Sequence, residues 1–177
     1  MAEAFSNKVA RAAGIVSTST GGAVGILTNL ITGISTVHVA INDLVDNSNY
    51  ILGTKVTNIG VSSVTCDRDS TNDAAATSQT VKFLGPTTCY TSSAKSILVG
   101  GTFANNTTQS VNLSVTVWDN SASTEVSIAG NIPVPNGSSF VITDAGKTVL
   151  ESSDEVRLYC DTANAIDATL SILTGVS

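Results

Sequence analysis

The chain is poor in the residues that carry chemistry or covalent cross-links. Its 177 residues include one histidine, one tryptophan, three cysteines and three prolines, and only 12% of them are charged. An average globular domain has about twice that charged fraction. Eight Lys and Arg stand against fourteen Asp and Glu, and no basic run offers a footprint for phosphates. We therefore expect no nucleic-acid partner.

Long apolar runs are missing as well. No stretch approaches the roughly 20 apolar residues that a membrane-spanning helix requires, so we expect no membrane partner. Lys8 and Arg11 precede the apolar residues 12–16 as in a leader peptide, but the polar residues 17–20 interrupt that run,. The sequence predicts a protein that is made in a cytoplasm.

The few reactive side chains lack the spacing of a site. Cys66, Cys89 and Cys160 are scattered, and their odd number excludes a complete disulfide framework,. Each lies in or beside an apolar run, so we predict small buried side chains in a reducing cytosol. His38 has no nucleophile placed beside it, and we predict that it lies at the surface or in an interface.

Apolar and hydroxyl side chains are abundant instead. Hydrophobic residues amount to 42%, and Ser and Thr fill roughly a quarter of the chain,. Thr favours strands, whereas Ser and Thr weaken helices because their side chains compete for backbone hydrogen bonds. Residues 111–117 alternate apolar with uncharged polar side chains, as in a half-buried strand,. The composition predicts an all-β protein.

The distribution of turn signals predicts three segments. Residues 1–32 supply an N-terminal arm and the first strand of a sandwich, and residues 33–86 form an inserted small β-barrel-like subdomain,. Residues 87–177 form the antiparallel β-sandwich, of jelly-roll or immunoglobulin-like type. The arm begins as a short helix over residues 3–13 or as an extended segment, and residues 17–22 are interpreted as a linker,.

Apolar alternation between turn signals locates the individual strands. In the inserted segment we predict strands at residues 36–41, 55–59, 63–68 and 79–84,. In the sandwich we predict strands at residues 88–91, 96–104, 110–118, 124–129, 132–134, 139–143, 147–150, 155–160 and 165–173,. Pro133 and Pro135 predict a sheet edge, because proline donates no hydrogen bond to a neighbouring strand.

Three carboxylates are the candidates for a metal site. Asp67, Asp69 and Asp73 lie close in sequence, with Thr71 among them, as in a calcium loop,. The tight-turn glycine and the downstream glutamate of such a loop are missing, and a polar hairpin loop is the favoured alternative. We assign no metal, cofactor or catalytic residue.

Five aromatic residues are candidates for a sugar site, but their spacing on apolar faces favours core packing. They are Trp118, Tyr90, Tyr159, Phe103 and Phe140.

An enzyme such as a glycosidase is a third class of function. It needs two carboxylates about 5–10 Å apart in a cleft. Asp154 and Glu155 are adjacent, so on a strand they point in opposite directions. We predict that Asp154 instead caps backbone N–H groups in a turn, and that the protein is not an enzyme.

Four stretches of the C-terminal half carry a resemblance to a known class of proteins. They are residues 95–107 (KSILVGGTFANNT), 131–141 (NIPVPNGSSFV), 150–156 (LESSDEV) and 165–171 (AIDATLS). This half, about half of the chain, resembles small β-sandwich virion structural proteins of tailed bacteriophages, of the marine and cyanophage type. In the inserted segment, Asp43-Leu-Val-Asp and Gly53-Thr-Lys-Val-Thr resemble small β modules of phage fibre proteins more weakly.

The resemblance implies a non-enzymatic virion structural protein assembled in the host cytoplasm. Such proteins are capsid decorations, neck or collar pieces and tail appendages, usually homo-oligomeric. We expect a homo-oligomer, with a trimer as the expected state, that binds neighbouring coat or neck subunits on the capsid exterior or the neck. The alternative is a tail appendage that binds a host receptor or glycan, which requires an exposed aromatic or acidic pocket, expected at the 33–85 insertion.

Overall fold

The computed structural model describes residues 3–143 and 148–176. These residues form strands and no helix, so the predicted all-β class is confirmed. In chain order the strands are β1 (Ala4–Ala13), β2 (Ile15–Val24), β3 (Leu30–Thr32), β4 (Leu44–Asp46), β5 (Val56–Ile59), β6 (Ser63–Cys66), β7 (Ala76–Gly85), β8 (Thr87–Thr91), β9 (Ser96–Asn105), β10 (Val111–Asp119), β11 (Thr124–Val134), β12 (Ser139–Ile142), β13 (Thr148–Leu150), β14 (Glu155–Cys160) and β15 (Ile166–Thr174). In this part of the chain, no helix has the length and apolar character needed to cross a membrane.

The chain divides into two compact units, one of them inserted in the other. The outer unit is Met1–Gly14 with Pro86–Ser177, and the inserted unit is Ile15–Gly85. We predicted that the insertion starts at residue 33 and that the strand near Ile15 belongs to the sandwich. Instead, β2 pairs with β7, starting with Ile15 opposite Gly85. The N-terminal strand of the sandwich is β1, which pairs with β15.

Residues 17–22, which the sequence predicts to be a linker, lie within strand β2 instead. Ser19 and Gly22 are buried inside the inserted unit, whereas Thr18, Thr20 and Gly21 are exposed. Ser19 is buried, and its hydroxyl accepts a hydrogen bond from the Ser35 N–H at 2.8 Å. A Cβ on Gly22 would lie 3.0 Å from Ile34. At these two positions a small residue marks close packing and not flexibility.

The outer unit is a sandwich of two antiparallel sheets. The five-stranded sheet has the order β1-β15-β9-β12, with β13 also paired to β9, and the four-stranded sheet has the order β11-β10-β14-β8. Consecutive strands of this unit lie in opposite sheets, with two exceptions: β10 and β11 share one sheet, and β12 and β13 share the other. This is the connectivity of a jelly roll, and it differs from the immunoglobulin order.

The sandwich core lies between the inward faces of the two sheets. Val111, Leu113 and Val115 of β10 are each at most 1% exposed, as their alternation predicts. Phe103 of β9 stacks on Phe140 of β12 with ring centroids 6.2 Å apart. Although β9 and β10 follow each other in sequence, they lie in opposite sheets. The Asn-Asn-Thr-Thr corner between them is therefore a crossover and not a hairpin.

The inserted unit is a six-stranded β-barrel, in agreement with the barrel-like prediction. Its strands have the order β4-β7-β2-β3-β6-β5. A β-bridge between Leu44 and Lys55 joins the two ends of this sheet, and the Val45 N–H donates to the Thr54 carbonyl at 2.8 Å. Closure removes the unpaired edges that an open sheet would expose. The barrel core includes side chains with no exposed surface, among them Ile31, Val56, Val64, Val81 and Phe83.

Most predicted strands of both units lie within three residues of their observed bounds, and three predictions of secondary structure differ. Residues 36–41 form a loop and not a strand. The predicted strands at 124–129 and 132–134 are one irregular strand, β11. The arm is extended as β1, so of its two alternatives the helix is wrong. The predicted edge is confirmed, because Pro133 lies in β11 at the edge of the four-stranded sheet. Lys147 of the predicted strand 147–150 lies outside the described residues.

Replacing Gly14 with alanine is expected to lower the free energy of unfolding of the sandwich by about 3 kcal/mol. Gly14 has φ +121°, and a Cβ there would clash with the backbone oxygen of Thr162. The matched control is Gly130→Ala, because a Cβ at Gly130 meets no atom within 4 Å; its expected effect is below about 0.5 kcal/mol. Denaturant unfolding followed by Trp118 fluorescence measures both, and equal effects would contradict the steric argument.

Candidate interaction surface

The outer face of the five-stranded sheet carries an unbroken apolar row. Phe5 of β1 is opposite Leu173 of β15, Leu173 is opposite Ile97 of β9, and Ile97 is opposite Val149 of β13. Because cross-strand partners point to the same side of a sheet, these four side chains form one line across four strands. The inward neighbours Leu98 and Ile172 are buried in the core, which leaves the row on the outside. Phe5 is 73% and Val149 50% exposed.

A second row lies further along the same strands. Val9 is opposite Thr169, Thr169 is opposite Thr102, and Thr102 is opposite Val141. Val9 and Val141 are 74% and 47% exposed. This row is uncharged, and with the first row it defines what we call the outer face.

None of the eight side chains in the two rows is ionisable. Of the β15 positions that point outward, only Asp167 is ionisable, and it lies at the end of the sheet away from the apolar row. Its carboxylate accepts a hydrogen bond from the Ala12 N–H at 2.8 Å. A partner that covers this face desolvates little charge, which favours close protein contact.

The four-stranded sheet has a different outer face, where a buried carboxylate organises a polar network. The Glu125 side chain is only 2% exposed. It accepts hydrogen bonds from the Thr116 hydroxyl at 2.7 Å and from the Tyr159 hydroxyl at 2.9 Å and 3.0 Å. Arg157 lies 3.9 Å from it and also binds Glu155 at 2.7 Å. The polar face that the alternation predicts for β10 is therefore partly covered by Glu125 of β11.

The aromatic candidates are divided between two environments. Phe103 and Phe140 pack in the core, as predicted. Trp118 lies on the other side of its sheet, where the Arg157 guanidinium sits 4.6 Å from the centre of its ring. Tyr159 belongs to the Glu125 network. Tyr90 packs against the core, as predicted, and has the Lys8 ammonium 5.9 Å from its ring centre. The five rings therefore do not form one aromatic surface.

The acidic loop of the barrel is tied to the backbone. Asp67 accepts a hydrogen bond from the Lys55 N–H at 2.8 Å and lies 3.9 Å from Arg68. Within the described residues, no group of three or more His, Cys, Asp and Glu side chains is arranged to hold a metal ion. Asp67, Asp69 and Asp73 are thus not brought together as a ligand set.

Asp154 has the capping role that the sequence predicts. Its carboxylate accepts hydrogen bonds from the Asn120 N–H at 3.0 Å and the Glu151 N–H at 2.9 Å, and the residue is 6% exposed. Glu155 instead binds Arg157 and accepts a hydrogen bond from the Thr88 hydroxyl at 3.1 Å. The two neighbours serve different structural networks.

His38 is exposed, and its φ of +63° places it in a loop turn. Its surface position agrees with the prediction.

All three cysteines are buried, which confirms that they are small core side chains. Burial raises the pKa of the Cys66 thiol to about 12 and that of the Cys89 thiol to about 11. A raised pKa leaves less of the reactive thiolate at neutral pH. We expect a thiol reagent at pH 8 to label none of the cysteines in the folded protein and all three in denaturant. Rapid labelling before unfolding would contradict this, and mass spectrometry counts the labels.

The apolar row escaped the sequence reasoning, although a signal for it exists. Residues 97–99 (ILV) and 172–173 (IL) place apolar side chains on both phases of a strand. A continuous apolar run is typical of a strand that is covered on both faces. The alignment of these runs with Phe5 and Val149 depends on strand register, which the sequence does not show.

Comparison with known proteins found no similarity: no protein-family model, curated protein or solved structure matches the chain.

Proposed function

We propose that this protein is a non-enzymatic structural subunit of a bacteriophage virion. It forms homo-oligomers and binds neighbouring coat or neck subunits on the capsid exterior or the neck, after assembly in the host cytoplasm. The observation that carries this proposal is the outer face of the five-stranded sheet, where an apolar row and a second uncharged row each run across four strands. Such a face fits lasting contact with protein.

Quantitative mass spectrometry of purified particles tests the proposal. Hundreds of copies per virion are expected for a capsid decoration, and about a dozen for a neck component. Absence of the protein from purified particles would reject the proposal.

The alternative function is that of a tail appendage that binds a host receptor or glycan. The surface that would bind it lies at the end of the barrel opposite to Ile15 and Gly85. Loops 25–29, 47–55 and 67–75 meet there, because the Tyr50 hydroxyl donates to the Thr28 carbonyl at 3.0 Å and the Ser70 hydroxyl to the Gly25 carbonyl at 3.2 Å. These loops expose four large aliphatic side chains, Ile26, Leu27, Ile51 and Leu52. A groove of about 350 Å³ is lined by Gly25 and Thr28, on either side of Ile26 and Leu27 in the chain.

Competition with phage adsorption separates the two functions. If the protein is an appendage, the purified chain blocks adsorption to host cells, and the double variant Leu27→Ser/Leu52→Ser loses this effect. If it is a capsid or neck subunit, neither protein affects adsorption.

A further inference from the structure

We propose that the outer face of the five-stranded sheet is a self-complementary interface that binds a second copy of this chain. This inference rests on the proposed structural function and names the partner of the same face. In the resulting dimer, two such sheets pack face to face across a two-fold axis. The axis passes near Leu173 and Ile97, so that each apolar row lies against its counterpart.

Charge favours a second copy as the occupant. The chain has a formal net charge of −6, so two copies repel one another wherever charged surfaces meet. The two rows escape this repulsion, because none of their eight residues is ionisable. The exposed pair of Lys95 and Glu151, next to the paired ends of β9 and β13, carries opposite charges and adds no net charge beside them. A basic partner would be expected to meet an acidic face instead.

The size of the face is also adequate. β15 has nine residues, which extend for about 30 Å, and four strands side by side are about 19 Å wide. The flat area is roughly 600 Å², and side chains that stand on the sheet add to it. A standard stable interface buries about 800 Å² on each partner.

The geometry matches a known way of packing sheets. Two sheets stack about 10 Å apart with interdigitating side chains and nearly aligned strands. An isologous contact of this kind uses the same patch on both subunits and closes as a dimer. A trimer would require two different patches on each subunit, so the mass of the assembly distinguishes the two states.

Light scattering coupled to size exclusion tests the interface on the full chain. We expect a mass of twice the 18.0 kDa chain for the natural sequence. Val149→Glu and Phe5→Glu each place a carboxylate in both halves of the interface, and each should weaken dimerisation by at least about a hundredfold. The matched control is Val61→Glu in the barrel, because Val61 is 99% exposed; this variant should remain dimeric.

Several outcomes overturn the inference: a monomer or a trimer for the natural sequence, a dimer that survives both substitutions, or loss of the dimer in the control. Circular dichroism and the Trp118 unfolding curve confirm that the variants are folded. A monomeric protein that is nevertheless present in purified virions would overturn the two-copy interface and leave the proposed function standing. A dimer that is absent from virions would do the reverse.

Discussion

Truncation of Phe103 to alanine is expected to lower the free energy of unfolding of the sandwich by about 3–5 kcal/mol. Phe103 has no exposed surface and stacks on Phe140 at the centre of the core. Its loss removes apolar burial and leaves a cavity that the two flanking sheets cannot fill. A Cβ on Gly101 would already lie 3.2 Å from the Phe103 ring, which shows how closely the site is packed.

The measurement uses the single tryptophan of the chain as a reporter. Trp118 lies in β10, so its fluorescence follows the sandwich. The matched control is Phe5→Ala, studied at a concentration at which the protein is monomeric. Phe5 is 73% exposed, and its truncation should change stability by less than about 0.5 kcal/mol. Equal shifts in the denaturant midpoint would contradict the assignment of Phe103 to the core.

Replacement of Glu125 by alanine should cost about 3 kcal/mol. Glu125 is the acceptor for the hydroxyls of Thr116 and Tyr159 and the partner of Arg157. Removing its carboxylate takes away the acceptor of the buried Thr116 hydroxyl and one acceptor of the Tyr159 hydroxyl. A buried hydroxyl that loses its acceptor costs about 1–3 kcal/mol. Arg157 keeps Glu155 as a partner, so the guanidinium remains compensated.

Two further variants separate the effect of burial on stability from the effect of charge: one in this network and one in an exposed ion pair. Glu125→Gln retains a carbonyl oxygen for the hydroxyls, and we expect it to lose less stability than Glu125→Ala. Glu151→Ala breaks an exposed pair, in which Glu151 is 3.7 Å from Lys95 and its side chain is 62% exposed. This loss should cost less than about 1 kcal/mol. If Glu151→Ala and Glu125→Ala lower the free energy of unfolding in urea equally, the buried network contributes no more to stability than an exposed ion pair.

Local patterns located most strands of the sandwich because each pattern needs only its own residues. The strand at Glu155–Cys160 has its predicted bounds, since buried Val156, Leu158 and Cys160 alternate with polar neighbours. In the loop 36–41 the same kind of local pattern gives a wrong prediction. Its alternation imitates a strand, but the backbone turns at His38, with φ +63°, and leaves Val37 63% exposed.

The boundary of the inserted unit is set by which strands pair and not by the local sequence pattern. β2 has the composition of a linker, yet its register partner is β7, far along the chain. Small residues such as Ser19 and Gly22 are flexible in isolation and become tightly packed only when a barrel closes around them. Such long-range contacts leave no mark within a short window of sequence.

By itself, the sequence determined the all-β class, the inward side of strands such as β10, the edge at Pro133 and the turn around Asp154. Each of these follows from side-chain alternation, a missing N–H donor or a short carboxylate beside free backbone donors. Only the tertiary structure decided that the sandwich is a jelly roll, that Glu125 closes one outer face and that Phe5, Leu173, Ile97 and Val149 form one row on the other. The physical reason is register: residues far apart in the chain become neighbours only when hydrogen bonds align their strands.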